Sequence, residues 1–146
     1  MRKLKLFLSM EHELKLLLLE SYFYLGWARL LKSMPFSKIS PSLGKQMQET
    51  SHDIDLVNQP LLSKVSQAIH LMSRYTFWES QCLVKAIAAM KMLEKRKVES
   101  TLYLGVTKDN NGNLIAHAWL RSGPFYVTGS EGMNRFTVVN KFAKKV

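Results

Sequence analysis

The chain has 146 residues, a length that fits one domain with its own hydrophobic core. Hydrophobic residues make up 47% of it and glycine and proline are few, which excludes a disordered or low-complexity protein. The formal net charge of +10 favours acidic partners such as nucleic acid, anionic lipid or an acidic peptide, without choosing among them.

The N-terminal third predicts a long amphipathic helix followed by a connector. Apolar residues recur at helical spacing from Leu14 to Leu31, and charged residues interrupt the run before it reaches the roughly 20 apolar residues of a membrane span. Residues 33–60 are mostly polar and contain prolines that end helices. We therefore divide the chain into a helix and linker over 1–60 and a folded domain over 61–146.

A second and a third helix are predicted next. Residues 61–73 resume helical spacing. Thr76, with Glu79 three positions later, forms a capping box that predicts the N-terminus of the following helix. The single cysteine, Cys82, then lies in the first turns of that helix, whose apolar face continues to Leu93.

From residue 100 onward the hydrophobic period becomes that of strands. Residues 101–107, 114–120, 125–129 and 135–139 predict four strands, and Asn111-Gly112 predicts a hairpin between the first two. The expected fold class is α+β, with N-terminal helices and a cysteine-bearing helix packed on an antiparallel sheet.

Cys82 and His117 are the candidate reactive pair. The dipole at a helix N-terminus favours a thiolate, and a histidine on a facing strand can take the thiol proton and return it to a leaving amine. A lone cysteine is more often a buried hydrophobe, and a lone strand histidine is usually structural. Placement alone leaves both interpretations open.

Three motifs in order carry a resemblance to a known family. They are Cys82-Leu83 at the helix start, residues 102–106 (Leu-Tyr-Leu-Gly-Val) and residues 116–119 (Ala-His-Ala-Trp). This set resembles the stand-alone leader peptidase of lasso-peptide biosynthesis, a transglutaminase-like cysteine protease. The resemblance implies a papain/transglutaminase-like peptidase core over 61–146 and no cofactor or metal.

The resemblance also implies a function and partners. Such a peptidase removes the leader from a ribosomally made precursor, after which a separate ATP-dependent cyclase joins the freed amine to an acidic side chain. The N-terminal third lacks the strands of a leader-recognition module, so we expect a separate recognition protein, with residues 14–31 as its docking face or as ordinary core packing. We expect no nucleic acid as a partner, and leave peripheral membrane association open.

Residue roles follow from the same resemblance. Cys82 is the nucleophile and His117 the base that becomes the acid. The family places an acidic residue on the strand after the histidine, whereas here the only later carboxylate is Glu131, beyond the third strand. Glu131, Thr128, Asn134 or no third group therefore remain alternatives.

Two further residues complete the predicted site. The backbone N–H of Cys82, aided by the Gln81 amide, would stabilise an oxyanion, unless Gln81 is simply an exposed helix residue. Trp119, two residues after His117 on a strand, should share its sheet face and shield the ion pair. Because one cysteine cannot form an internal disulfide, we expect a reducing, cytoplasmic location.

Two other functions remain open on sequence alone. A non-catalytic binding module would use the positive charge to hold nucleic acid or an anionic membrane, with Cys82 merely buried. An acyl transferase would keep the thiol chemistry and pass the acyl group to an amine rather than to water.

Overall fold

The computed structural model describes residues 12–53, 55–76 and 81–145. In these residues four α-helices and five strands form an α+β arrangement, with most of the helices before the strands, as the sequence predicts. The helices are α1 (His12–Lys32), α2 (Phe36–Ile39), α3 (Gln59–Ser73) and α4 (Cys82–Lys95); the strands are β1 (Lys45–Gln46), β2 (Ser100–Lys108), β3 (Leu114–Ser122), β4 (Phe125–Thr128) and β5 (Thr137–Lys144).

The five strands form one antiparallel sheet in the order β1-β5-β2-β3-β4. The predicted Asn-Gly hairpin joins β2 to β3, with Gly112 at a φ of 81° that suits glycine. Asp109 fixes the turn, since its side chain accepts hydrogen bonds from the N–H groups of Asn111 and Asn113. The strand β1 has only two residues and no alternation, so its pairing with β5 is not visible in the sequence.

The helices α3 and α4 pack on one face of this sheet, and α1 packs on those two helices. Leu25 of α1, Ile69 of α3 and Ile87 of α4 are fully buried and belong to one hydrophobic cluster that also includes Leu102 and Leu120 from the sheet. Each such side chain contributes about 1.5–3 kcal/mol by leaving water. The helix α1 therefore shares a core with the C-terminal elements, and the division of the chain at residue 60 stays a prediction.

The start of the cysteine-bearing helix differs from the prediction. The helix begins at Cys82 with Gln81 as its N-cap. Thr76 is not the N-cap of α4, because Gln81 holds that position; Glu79, the other half of the predicted capping box, lies outside the described residues. As a consequence Cys82 is the first residue of α4, nearer the N-terminus than the sequence suggested.

The opposite face of the sheet is polar and aromatic and is built around Arg121, which is 1% exposed. Its guanidinium donates to the carbonyls of Thr50, Ser51 and Gly123 and to the Tyr103 hydroxyl. Burial and a hydrogen bond to a carboxylate raise the pKa of Tyr103 to about 12, so the phenol stays a donor at neutral pH. The predicted connector is thus fastened to the sheet over Thr50 and Ser51.

Within the described ranges, the search for a helix with the length and apolar character needed to cross a bilayer finds none.

Candidate active site

Cys82 and His117 line the same cavity, of about 530 Å³, which we call the thiol cavity. It lies between the C-terminal half of α3, the start of α4, and the end of β4 with the turn that follows. β4 pairs with β3 only over Leu120–Ser122, so the cavity lies beside the part of β3 that precedes this pairing. Its lining consists of Ser66, His70, Ser73, Arg74, Cys82, Lys85, His117, Tyr126, Val127, Thr128, Gly129, Ser130 and Glu131.

Cys82 stands where a helix end presents its unpaired backbone donors. It is half-buried and contacts the hydrophobic core. The N-cap residue Gln81 makes no side-chain capping bond, and the first turn contains no acidic residue. The first N–H groups of α4 and the positive end of its dipole are therefore available to a thiolate or to an oxyanion.

His117 projects from the sheet face opposite the hydrophobic core. Its ring stacks on Trp119 at 5.7 Å between ring centroids and lies 5.1 Å from the Phe136 ring. Its Nε2 lies 2.7 Å from the Gly129 carbonyl oxygen. A carbonyl only accepts hydrogen bonds, so Nε2 carries the proton and Nδ1 of the neutral ring is the acceptor. That acceptor is the atom a thiol proton needs.

Among the described residues, no hydrogen bond joins Cys82 to His117 in this structure. The two side chains share the cavity lining, and Nδ1 makes no bond that would compete with the thiol. Hydrogen bonds between catalytic groups commonly tighten only when substrate binds. The structure therefore places both side chains on one cavity without a hydrogen bond between them among the described residues.

The three candidates for a third catalytic group lie in different places. Glu131 lines the cavity but is exposed, Thr128 lines it and is buried, and Asn134 is exposed on the short 3₁₀ turn Met133–Arg135, outside the lining. The hydrogen bond of His117 goes instead to the backbone of Gly129. A backbone carbonyl carries no side-chain signal, which is why sequence reasoning missed it.

The sequence signal that could have located the contact between His117 and the turn was the glycine itself. Gly129 has a φ of +74°, and a Cβ there would lie 2.5 Å from the Ala118 carbonyl oxygen. Only glycine fits where the turn passes so close to β3, and that close passage brings its carbonyl to the imidazole.

The remaining predicted residues, Gln81 and Trp119, are placed as follows. Gln81 is exposed beside the thiol, and its side-chain oxygen accepts a hydrogen bond from Lys32 Nζ at 3.2 Å. Trp119 is buried between His117 and Tyr103, whose ring it stacks on at 5.6 Å between centroids. Trp119 thus shares the sheet face of His117 and covers one side of the imidazole.

The helix α1 has apolar residues on two sides. Its inner side is in the core, while Leu16, Leu19, Phe23 and Leu30 are each more than half exposed. Their spacing places them on one stripe of the helix, opposite the buried residues. We call these four residues the outer stripe.

The family follows from comparison with known proteins. The family model described as the transglutaminase-like superfamily matches residues 22–141, and the chain belongs to that superfamily. The superfamily includes cysteine peptidases and transferases, both consistent with a helix-borne cysteine that shares a cavity with a strand histidine. No curated protein and no solved structure gives a significant match to the chain.

Proposed function

We propose that this protein is a cysteine peptidase that removes the leader from a ribosomally synthesised lasso-peptide precursor. The observation that carries the proposal is the lining shared by Cys82, at the first position of α4, and His117, whose Nε2 is fixed by Gly129. This arrangement supplies a nucleophile, a base of defined tautomer and a set of backbone donors in one place.

In the acylation step, Nδ1 of His117 accepts the thiol proton and the Cys82 sulfur attacks the carbonyl carbon of the scissile bond. Negative charge that develops on the carbonyl oxygen faces the uncapped N–H groups at the start of α4. The imidazolium then donates its proton to the leaving nitrogen, the C–N bond breaks, and the new amine departs. The leader remains as a thioester on Cys82.

In the deacylation step, water attacks the thioester while His117 takes one of its protons. The C–S bond breaks, the leader leaves with a carboxylate, and the pair returns to its starting state. Throughout, the Gly129 carbonyl holds Nε2–H, which keeps Nδ1 as the atom that exchanges protons.

The finer assignment, to lasso-peptide precursors, is supported by the Cys-Leu, Leu-x-x-Gly-Val and Ala-His-Ala-Trp motifs and by their order along the chain. A separate recognition protein would present the leader, and the outer stripe of α1 is the apolar surface we assign to it. The amine freed by cleavage is the group an ATP-dependent cyclase would then use.

The first test measures the rate of Cys82 alkylation by iodoacetamide against pH. We expect the pH midpoint of this reaction to be higher in His117→Ala than in wild type, because the variant lacks the imidazole that would accept the thiol proton. The matched control is His70→Ala, the other histidine on the lining, which should behave like wild type. A shift in His70→Ala but not in His117→Ala would reassign the base.

The second test follows precursor cleavage by mass spectrometry, with and without a recognition protein. Release of leader with one added water supports the peptidase, whereas leader joined to an added amine identifies an acyl transferase. A thiol that is unreactive in the folded protein, combined with salt-sensitive binding to nucleic acid or anionic vesicles that survives Cys82→Ala, would favour the binding module.

A further inference from the structure

The thiol cavity has more positive than negative charge on its lining. Arg74, at the end of α3, and Lys85, one turn into α4, both line it, and among the described residues Glu131 is the one carboxylate on this lining. Like many basic residues of the chain, the two cations have no ion-pair partner in its described part, and what distinguishes them is that both lie on the lining of the same cavity. Two cations are therefore present for one exposed carboxylate.

A buried hydroxyl supplies a second and independent observation. Thr128 is 2% exposed and lines the thiol cavity, and its Oγ1 has no hydrogen-bond partner in the described residues. Burying a hydroxyl without a partner costs free energy, so such groups normally mark the place of a missing partner. A ligand oxygen in the cavity would satisfy it.

The neighbouring groups suit an anion. Arginine matches a carboxylate with its planar fork, lysine adds a second positive charge, and the start of α4 adds the positive end of its dipole. His70, also on the lining, has Nδ1 bonded to the Ser66 carbonyl at 2.7 Å, so its Nε2 is left for a ligand or water. A cavity of about 530 Å³ holds a short peptide segment.

We propose that the thiol cavity binds a carboxylate of the substrate, an acidic side chain close to the scissile bond, through Arg74, Lys85 and the Thr128 hydroxyl. This inference rests on the proposed peptidase function for its substrate, but not for the carboxylate site itself. The site would draw acidic peptides toward Cys82 and align the bond to be cut.

The first arm of the test needs no peptidase activity. Iodoacetate and iodoacetamide both alkylate a thiolate by forming an S–C bond as the C–I bond breaks and iodide leaves, and they differ mainly in the carboxylate. We expect the iodoacetate-to-iodoacetamide rate ratio at Cys82 to exceed that of a small thiol such as glutathione by about tenfold at low salt. Arg74→Gln with Lys85→Gln should return the ratio to the glutathione value.

Matched controls separate local charge from net charge. Lys97 lines a different cavity, among Asp53, Asp55 and Glu99, and Lys97→Gln removes the same kind of charge there. It should leave the ratio unchanged, and Arg74→Lys with Lys85→Arg should preserve it because both charges remain. A ratio equal to that of glutathione in wild type, or an equal fall in Lys97→Gln, overturns the carboxylate site.

The second arm uses pairs of precursor peptides that carry Glu or Gln at each position flanking the cleaved bond. We expect one position at which Glu raises kcat/KM by about tenfold over Gln, and the Arg74→Gln, Lys85→Gln variant to lose that preference. Cleavage without a preference at any position overturns the assignment to substrate. If no peptide is cleaved while the alkylation ratio responds, the peptidase function fails and the carboxylate site stands.

Discussion

Two cavities of similar size differ in what their polar groups do. The thiol cavity measures about 530 Å³; the other, of about 620 Å³, has Asp53, Asp55 and Glu99 on its lining, and we call it the acidic cavity. In the acidic cavity polar groups are used to hold the fold: the Ser122 hydroxyl donates to the Glu99 carbonyl, and Asp55 accepts from backbone N–H groups just before α3. The lining of the thiol cavity includes Thr128, whose hydroxyl is buried and has no hydrogen-bond partner among the described residues, and the lining of the acidic cavity includes no such buried group. Volume does not mark the site; the buried hydroxyl without a partner does.

The largest contrast should come from removing one small side chain in each cavity. Cys82→Ala should lower precursor cleavage by about 10⁴-fold or more, because no other group in the cavity can form the thioester. Ser122→Ala, in the acidic cavity, should leave kcat/KM within about twofold while costing about 1 kcal/mol of stability for its lost hydrogen bond. Mass-spectrometric rates and urea unfolding measure both. Turnover retained in Cys82→Ala would end the nucleophile assignment.

Arg121→Met should disorder the wall of the acidic cavity and leave the thiol cavity unchanged. The guanidinium holds the Ser51 and Gly123 carbonyls on that cavity's wall, and its loss leaves buried acceptors unpaired at a cost of about 3–5 kcal/mol. Denaturant unfolding reports the loss, with Arg29→Met on α1 as a control expected within about 0.5 kcal/mol of wild type. The pH midpoint of Cys82 alkylation in the folded variant should stay unchanged; a shift would show that the two cavities are coupled.

Two glycines, one on the lining of each cavity, allow a matched comparison with a smaller expected effect. Gly129 in the thiol cavity and Gly123 in the acidic cavity have φ values of +74° and +56°, and a Cβ at either would crowd a backbone carbonyl, of Ala118 or Asp53. Alanine at each should cost about 1–3 kcal/mol.

Only Gly129→Ala should move the carbonyl that holds His117, so it alone should raise the pH midpoint of Cys82 alkylation and lower kcat. Thermal unfolding should show that the two substitutions lower stability by similar amounts. Identical alkylation profiles in the two would remove Gly129 from its positioning role.

The smallest expected change in stability concerns Glu49, whose carboxylate accepts a hydrogen bond from Tyr103 on the sheet face that carries Arg121. The hydrogen bond from Tyr103, helped by the charges of Lys141 and Arg121, outweighs partial burial and holds the pKa of Glu49 below its usual value of 4.5. A carboxyl group whose pKa is lower in the folded state stabilises the protein above the unfolded-state pKa. This stabilisation is lost as the pH falls through the folded-state pKa.

Glu49→Gln should therefore cost less than about 1 kcal/mol at pH 7, since Glu49 is partly exposed, and the difference from wild type should vanish as the pH falls below the folded-state pKa. Urea unfolding at a series of pH values measures it. A difference that persists in strong acid would mean that packing, rather than charge, is responsible.

The sequence predicted regular elements better than it predicted their ends and partners. Hydrophobic period located α1, α3, α4 and four of the strands, because their inner faces are continuous with the core. The start of α4 was misplaced at Thr76, because a Ser/Thr-x-x-Glu pattern can cap a helix but α4 begins at Cys82, with Gln81 as its N-cap.

The sequence predicted the polar contacts less well than it predicted the ends of the helices and strands. Arg121 was not singled out, because two of its hydrogen bonds go to carbonyls of the connector, at Thr50 and Ser51, and no local pattern encodes such contacts. The sequence singled out Cys82 and His117, which line one cavity, because candidate nucleophiles and bases have distinctive side chains. The partner of His117 was missed because it is an oxygen of the main chain.

That main-chain oxygen has a consequence for how the proposed peptidase activity should respond to acidity. A carboxylate beside the imidazole would bring its own ionisation and would add an inflection on the acid side of the rate profile. A carbonyl never titrates, so this contact adds no ionisation of its own to the profile of kcat/KM. The carbonyl is held by the path of the main chain, so substitutions in the turn after β4 that keep this path should leave the contact intact, whereas Gly129→Ala or a change in the length of the turn should displace it.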